Sequence, residues 1–400
     1  MGIFRYNTPE MIIATDTQLA AWCSALQHEP VIFLDTEFVG EGHYYPRLGT
    51  IQLATREQAV LIDPLGLTDV TPLRDVLTNP AIEKVLHAAG QDLPIFYRLI
   101  GAPAAPVFDT QIAAALLGYD EQISFANLVE RATGTRLQKT HCFTDWLRRP
   151  LTDGQIAYAL DDVRYLVPAY DRLVAELAAQ GRLDWAHEEF RRLEDPARYQ
   201  VAEPGELYLR IRGIERMGKR ALSLLRELVA WREETARAMD LPTSRIARDE
   251  VLCELARHPR GSLRELRDVR GLQPQQVERF GALLLEVMQK TPATAPALTP
   301  RASSLPPALE PTVDFLILCL RSLASERAVS PGVVATRTDL AAVILAGERA
   351  DVPLMRGWRK KAIGDALLAT LNGHATARIV PDSRQVHLDW HEDVAAPSKS

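Results

Sequence analysis

The stretch VIFLDTEFVG, Val31–Gly40, decides how this chain folds. Four apolar residues read as a buried strand, and Asp35 and Glu37 then place two carboxylates one residue apart. Residues i and i+2 of a strand point to the same side, so these acids face together and Thr36 faces away. Two such carboxylates repel, and one takes up a proton unless a cation neutralises both. An oxygen-rich site of this kind suits a hard cation such as Mg²⁺.

Outward from this strand, the front of the chain alternates short β-branched runs with helical patterns. GTIQLAT and QAVLIDP read as further strands joined by a short turn, LRDVLTNP as a helix stopped by Pro80, and IEKVLHAAG as a strand passing into a glycine turn. DLPIFYRLIG reads as a helix ending at Gly101, APVFDT as another strand, and Gln111 to about Leu193 as mostly helical. Consecutive strands followed by helices predict a mixed sheet in an α/β domain. A turn-rich boundary, EDPARYQVAEPGE, precedes an all-helical stretch. Residues 291–311 hold six prolines and read as a semi-rigid linker, and the last segment reads as helical again.

The two helical segments read as repeats. Pro242 and Pro331, and Arg248 and Arg337, align at an offset of 89, with the apolar pairs Ile246/Ala335 and Val251/Leu340 following.

Further acids could join Asp35 and Glu37. Asp92 follows a glycine turn at a helix start, where capping and function both fit. In QIAYALDDVRYLV, Tyr158 and Asp162 are four apart and share a helix face, while Ile156, Leu160, Val163 and Val167 form the apolar stripe. Asp161 is a competing acid about 100° round the helix.

FLDTEF, HAAGQDL and YALDDVRYL, in that order, resemble the three motifs of the DEDD 3′→5′ exonuclease superfamily, and the tyrosine four residues before the last acid resembles its tyrosine-containing branch. YYPRLGTIQLAT, VFDTQIAAALLGY and FTDWLRRPLTDGQIAYALDD are similar to the ribonuclease D family, and the helical repeats resemble its C-terminal HRDC modules. The resemblance covers nearly the whole chain. It implies a ribonuclease H-like mixed sheet flanked by helices over residues 1–200, a first all-α HRDC domain over 203–290, the linker over 291–311, and a second, divergent HRDC-like all-α domain over 312–392. It implies that Asp35, Glu37, Asp92 and Asp162 hold two divalent ions, Mg²⁺ or Mn²⁺, ~3.5–4 Å apart. Asp35 is expected to bridge both ions, Glu37 and Asp162 to hold the one that activates water, and Asp92 to support the other. Tyr158 is expected to position or help deprotonate the attacking water.

The implied reaction releases 5′-mononucleotides from RNA with a free 3′ end, tRNA precursors and other structured RNAs included. A single-strand DNA exonuclease with the same site, and a non-catalytic RNA-binding adaptor, are the competing readings. No G-x-x-x-x-G-K-[ST] loop occurs, which argues against a helicase.

Net charge is −6, unevenly spread: residues 1–205 carry −11, 206–290 carry +4, 291–311 are neutral and 312–400 carry +1. A basic segment beside an acidic one suggests a nucleic-acid-facing surface. Arg210, Arg212, Arg216, Lys219 and Arg220 are the first phosphate-contact candidates; Arg359, Lys360 and Lys361 are the second. Lys139 and Arg149 are candidates to approach the RNA. His87 and Trp146 read as packing residues, and Asp109 as fixing local structure. Four scattered cysteines, no signal pattern and no span of bilayer length fit a monomeric cytoplasmic enzyme without an obligatory protein partner.

Overall fold

The computed structural model describes residues 11–137, 144–200, 203–291 and 305–391. Six strands form one mixed sheet: β1 (Met11–Ile13), β2 (Val31–Val39), β3 (Arg47–Ala54), β4 (Ala59–Ile62), β5 (Glu83–Leu86) and β6 (Val107–Asp109), in the order β1-β4-β3-β2-β5-β6. β2, β3 and β4 run antiparallel to one another in turn, while β5 and β6 continue parallel to β2. Helices α1 (Asp16–Leu26), α2 (Thr71–Leu77) and α3 (Asp92–Ile100) cover one face. Helices α4 (Thr110–Leu116), α5 (Phe125–Thr133), α6 (Asp153–Arg164), α7 (Leu166–Ala179) and α8 (Leu183–Leu193) gather on the other.

This two-sided cover explains the unbroken apolar run of β2. Val31 and Phe33 enter the α6–α7 core, and Ile32 and Leu34 enter the α1–α3 core. The strand β1 and helix α1 add to the sequence reading, which placed nothing before Val31. A three-residue strand carries almost no periodicity of its own.

The first helical unit comprises α9 (Lys219–Ala238), α10 (Thr243–Ile246), α11 (Asp249–Arg257), α12 (Leu263–Arg267) and α13 (Pro274–Lys290). Its core, centred on Leu225, Leu228, Leu252 and Leu284, is separate from the two cores of the six-stranded sheet. A polar latch joins it to the loop after β2. The Tyr44 hydroxyl donates to Glu233 at 3.0 Å, the Tyr44 N–H donates to Asp240 at 3.2 Å, and His43 and Arg47 meet Asp240 at 2.8 and 3.2 Å.

The second unit comprises α14 (Glu310–Glu326), α15 (Pro331–Val334), α16 (Arg337–Ala346), α17 (Gly357–Arg359), a π-helical turn at Lys360–Gly364 and α18 (Asp365–Leu371). It ends in a hairpin, β7 (Ala375–Ile379) against β8 (Val386–Trp390), so the expectation of an all-α second domain is corrected. Leu388 of that hairpin is buried in the unit's core, which anchors strands the helical reading did not allow for. The linker also ends earlier than position 311, because α14 starts at Glu310 with a proline in its first turn. Residues 292–304 of the linker lie outside the described residues.

The two units share a short helix, one extended alanine and a longer helix. Ala247 has φ/ψ of −163/139 and Ala335 −157/149. Thr243 and Pro331, and Asp249 and Arg337, start matching elements 88 residues apart, so the offset of 89 is corrected by one. In this register the buried Ile246 matches the buried Val334.

Unlike the core of the first unit, that of the second is continuous with the core on one face of the sheet. Its apolar residues, from Val313 to Leu388, join those on the α6–α7 side of the sheet in one cluster. Trp358 stacks on Trp185 at 4.6 Å, and its indole N–H donates to Glu189 at 2.8 Å. Buried Arg359 also pairs with Glu189.

Candidate active site

The apolar run of β2 stops where the acids begin. Asp35, Glu37 and Asp162 bring carboxylate oxygens within 4.8 Å of one another. β2 supplies the first two. The third arrives on α6, whose Ile156, Ala159, Leu160 and Val163 are buried in the core. A capping box between Thr152 and Gln155 fixes where α6 begins. A register shift between Glu37 and Phe38 interrupts the β2–β3 ladder at the acids, and pairing resumes with Phe38 opposite Leu48; bulges of this kind re-aim side chains.

Asp92 approaches from the other layer, as the first residue of α3. It lies outside the tight trio and accepts a hydrogen bond from the Thr36 hydroxyl. Thr36, read as merely facing away from the acids, is the residue that holds the fourth one. Its signal was the strand alternation itself, which points residue 36 at the layer carrying α3.

Burial dominates the electrostatics. The Asp35 carboxyl is held well above the usual range by burial and then by the charges of Asp162, Asp92 and Glu37. Burial, with Asp162 and Asp92, raises Glu37 to about 8. Burial raises Asp92 to about 6, and burial with the Asp161 charge raises Asp162 to about 7. Among the described residues, no Lys or Arg pairs with any of these four. Asp161 instead turns to Arg164 at 3.2 Å. Partly or fully buried acids without a cation, offering only oxygen, are the donor set of a hard divalent metal.

Neighbouring groups set the frame. The Asp109 carboxylate caps α4 by accepting from Gln111 and Ile112 N–H, and it also accepts from Ala88 and Ala89 N–H at 3.1 and 2.9 Å. It thereby holds the turn before Asp92, where Ala88 has a positive φ of 55°. His87 is packed between Thr110 Oγ1 and Ile123 O at 2.9 and 3.0 Å, and burial lowers it to about 4. Tyr158 lies one turn before Asp162 on α6, with its ring 6.2 Å from that of Trp146, which is buried in the core.

Thr50 and Gln52 sit directly across from Glu37 and Asp35 on β3. Both are fully buried, and the Gln52 amide N–H donates to Thr50 Oγ1 at 2.7 Å. In sequence GTIQLAT reads only as a strand; the polarity of Thr50 and Gln52 at alternate positions of that run is the signal that singles them out.

The basic candidates scatter. Arg149, a candidate RNA contact, is engaged internally with Asp63 at 2.6 and 2.7 Å and with the carbonyls of Gly49 and Trp146. Arg359 is excluded from phosphate contact by its buried pairing with Glu189. Lys360 meets Glu348 at 2.8 Å, whereas Lys361 is exposed. Arg210 is exposed beside Tyr44, Glu233 and Asp249. Arg212, Lys219 and Arg220 are exposed, and the last two line a groove with Arg257. The side chain of Arg216, and Lys139 altogether, lie outside the described residues.

Residues 11–178 match the family model of a 3′-5′ exonuclease, and residues 221–288 match that of the HRDC domain. Ribonuclease D of Nitrobacter hamburgensis is 37% identical over 373 residues, covering 92% of this chain and 97% of the relative. The chain belongs to the ribonuclease D family. Ribonuclease D of Escherichia coli is 42% identical over 279 residues, 70% of this chain and 74% of that protein. Its crystal structure, described as an exoribonuclease involved in structured RNA processing, superposes with a TM-score of 0.82 at 34% identity, covering 91% of this chain and 99% of that one. As a ribonuclease D, the chain is a 3′→5′ exoribonuclease on a mixed sheet flanked by helices, as its motifs implied. No helix among the described residues is long and apolar enough to cross a membrane.

Proposed function

We propose that Asp35, Glu37, Asp92 and Asp162 hold two divalent cations, Mg²⁺ or Mn²⁺, and that Tyr158 positions the attacking water for hydrolysis of the 3′-terminal phosphodiester. The observation that carries this reading is the meeting of three partly buried carboxylates within 4.8 Å, with no Lys or Arg paired to them among the described residues. The ions supply Lewis acidity and a water that is nucleophilic near neutral pH. Asp35, whose carboxyl feels the charges of Asp162, Asp92 and Glu37, would serve both ions. Glu37 and Asp162 would hold the ion that activates water, and Asp92, oriented by Thr36, would support the other. Tyr158 holds the water in line with the leaving 3′ oxygen, and such positioning accounts for much of a hydrolytic barrier.

The substrate is RNA with a free 3′ end, tRNA precursors and other structured RNAs among them, and 5′-mononucleotides are released singly. The enzyme works in the cytoplasm as a monomer without an obligatory protein partner. Three buried, unpaired cysteines, Cys23, Cys253 and Cys319, suit a reducing compartment. The second helical unit is a divergent HRDC domain, a reading supported by the extended alanine it shares with the first. Arg210, Arg212, Arg216, Lys219, Arg220, Lys360 and Lys361 remain proposed phosphate contacts.

The test is digestion of a 3′-extended RNA, and of the matched DNA, with Mg²⁺, Mn²⁺ or chelator. Stepwise release of mononucleotides from RNA, abolished by chelator, is expected. Asp35→Ala abolishes turnover while RNA still binds; full activity in that variant would show the site to be misassigned. Tyr158→Phe slows single-turnover cleavage with the fold intact, and an unchanged rate removes Tyr158 from the mechanism.

A further inference from the structure

Three arginines far apart in sequence face one groove of about 750 Å³ on the first helical unit. Arg245 comes from α10, Arg248 from the residue capping α11, and Arg279 from α13. All three are exposed, and no carboxylate lines the groove. Among the described residues Arg245 and Arg248 have no acidic partner, and Arg279 contacts only Met239 Sδ and the Phe280 ring. Two neighbouring acids are already engaged, Asp240 with His43 and Arg47, and Asp249 with Arg232 at 2.5 Å, while the exposed Glu250 and Glu278 do not line the groove. Three guanidinium groups left without counter-charge repel one another, and they are held together only because the fold places them there.

The groove is also polar where it is not charged. Gln273 and Gln275 line it at the start of α13, whose positive dipole end faces the same space. Gln276 donates to the carbonyls of Ser244 and Arg245, which fixes α10 against α13.

One wall decides what the groove serves. Gly42 lines it, and Gly42 belongs to the loop that leaves β2 five residues after Glu37. The groove therefore starts on the nuclease body and continues on the helical unit. The groove of Lys219 and Arg220 lies at the opposite end of α9, whose 20 residues span about 30 Å.

We propose that the groove of Arg245, Arg248 and Arg279 binds the phosphate backbone of the RNA upstream of the scissile linkage. The proposal rests on the exoribonuclease reading and adds to it the track along which the chain is held. It gives the first helical unit a defined role: the unit raises affinity for long substrates and leaves the chemical step alone.

The test compares the full-length protein with the variant R245Q/R248Q/R279Q and with R245K/R248K/R279K. Binding of a fluorescent single-stranded RNA is measured by anisotropy across salt concentrations in an Asp35→Asn background, and cleavage in the active background. The Gln variant is expected to lower RNA affinity about tenfold or more and to flatten the log K against log salt slope by about 2, near 0.7 for each lost phosphate contact. The Lys variant keeps most of the slope. KM for a long RNA rises, while the saturating rate and hydrolysis of a dinucleotide stay at the wild-type level. An unchanged affinity and slope in the Gln variant overturns the proposal, as does an equal loss on the dinucleotide, which marks a disturbed docking of the unit. Failure of the wild-type protein to digest either substrate instead overturns the exoribonuclease reading.

Discussion

Asp109 governs Asp92 from a distance, through backbone. Its carboxylate grips the Ala88–Ala89 turn and the start of α4 together. Asp109→Ala frees four N–H groups, and the cap alone is worth about 1–2 kcal/mol. We expect a lower urea midpoint and at least a tenfold loss in single-turnover rate; a rate loss without a stability loss would place Asp109 in the chemistry instead. Lys84 offers a separate check on burial. Its ammonium, donating to the carbonyls of Asn79 and Ala105 inside the sheet, is lowered to about 7 mainly by burial. Unfolded, it titrates at about 10.4. Between these values the unfolded chain holds the extra proton, so stability rises with pH and is lost as pH falls toward 7. Lys84→Met should remove that rise between pH 7 and 9, and parallel stability curves for the two proteins would contradict the assignment. At this scale the carboxylates were legible because acids in apolar strands and helices stand out. The partners of Asp92 were not, because Thr36 and Asp109 reach it across layers that only the folded sheet creates.

Among the elements, those with strong periodicity or clear stops were legible: β2, α3 ending at Gly101 with φ 72°, and α6 with its apolar stripe. Short elements that depend on tertiary partners were not. β1 exists because it pairs with β4, and the β7–β8 hairpin because Leu388 fills a core built elsewhere. The basic run on α17 shows the same limit. Arg359 belongs to a charge cluster in sequence, yet it is buried against Glu189 and donates to the carbonyl of Val333 at 2.8 Å. Removing one partner of a buried pair costs about 3–5 kcal/mol. Arg359→Met is therefore expected to lower the melting temperature sharply, while Lys361→Ala, at an exposed position, leaves it in place. Equal melting temperatures for the two variants would refute the structural role of Arg359.

At the scale of the molecule, the two helical units are attached in different ways. The first has its own core and a polar latch on the nuclease; the second merges with the nuclease core. Tyr44→Phe with Asp240→Ala removes the latch, at about 1 kcal/mol for each hydrogen bond lost, and should weaken RNA binding with little change in melting temperature. A chain ending at Thr291 should lose soluble, folded nuclease instead. A stable nuclease from that truncation would show that the shared core is dispensable. This asymmetry was invisible in the repeats, since both copies carry similar apolar spacing and only the fold tells where each side is spent.

The shared core also has a consequence for synthesis. Leu388 follows Leu193, the end of α8, by 195 residues, yet it belongs to the same apolar cluster as the α6–α7 side of the sheet. At ~5–20 residues per second, roughly 10–40 s separate the emergence of the nuclease sheet from that of its last wall. For most of that interval Trp185 lacks the Trp358 ring that stacks on it in the finished fold. The face of α8 around Trp185 and Glu189 is therefore closed late in synthesis, long after the four acids have been made.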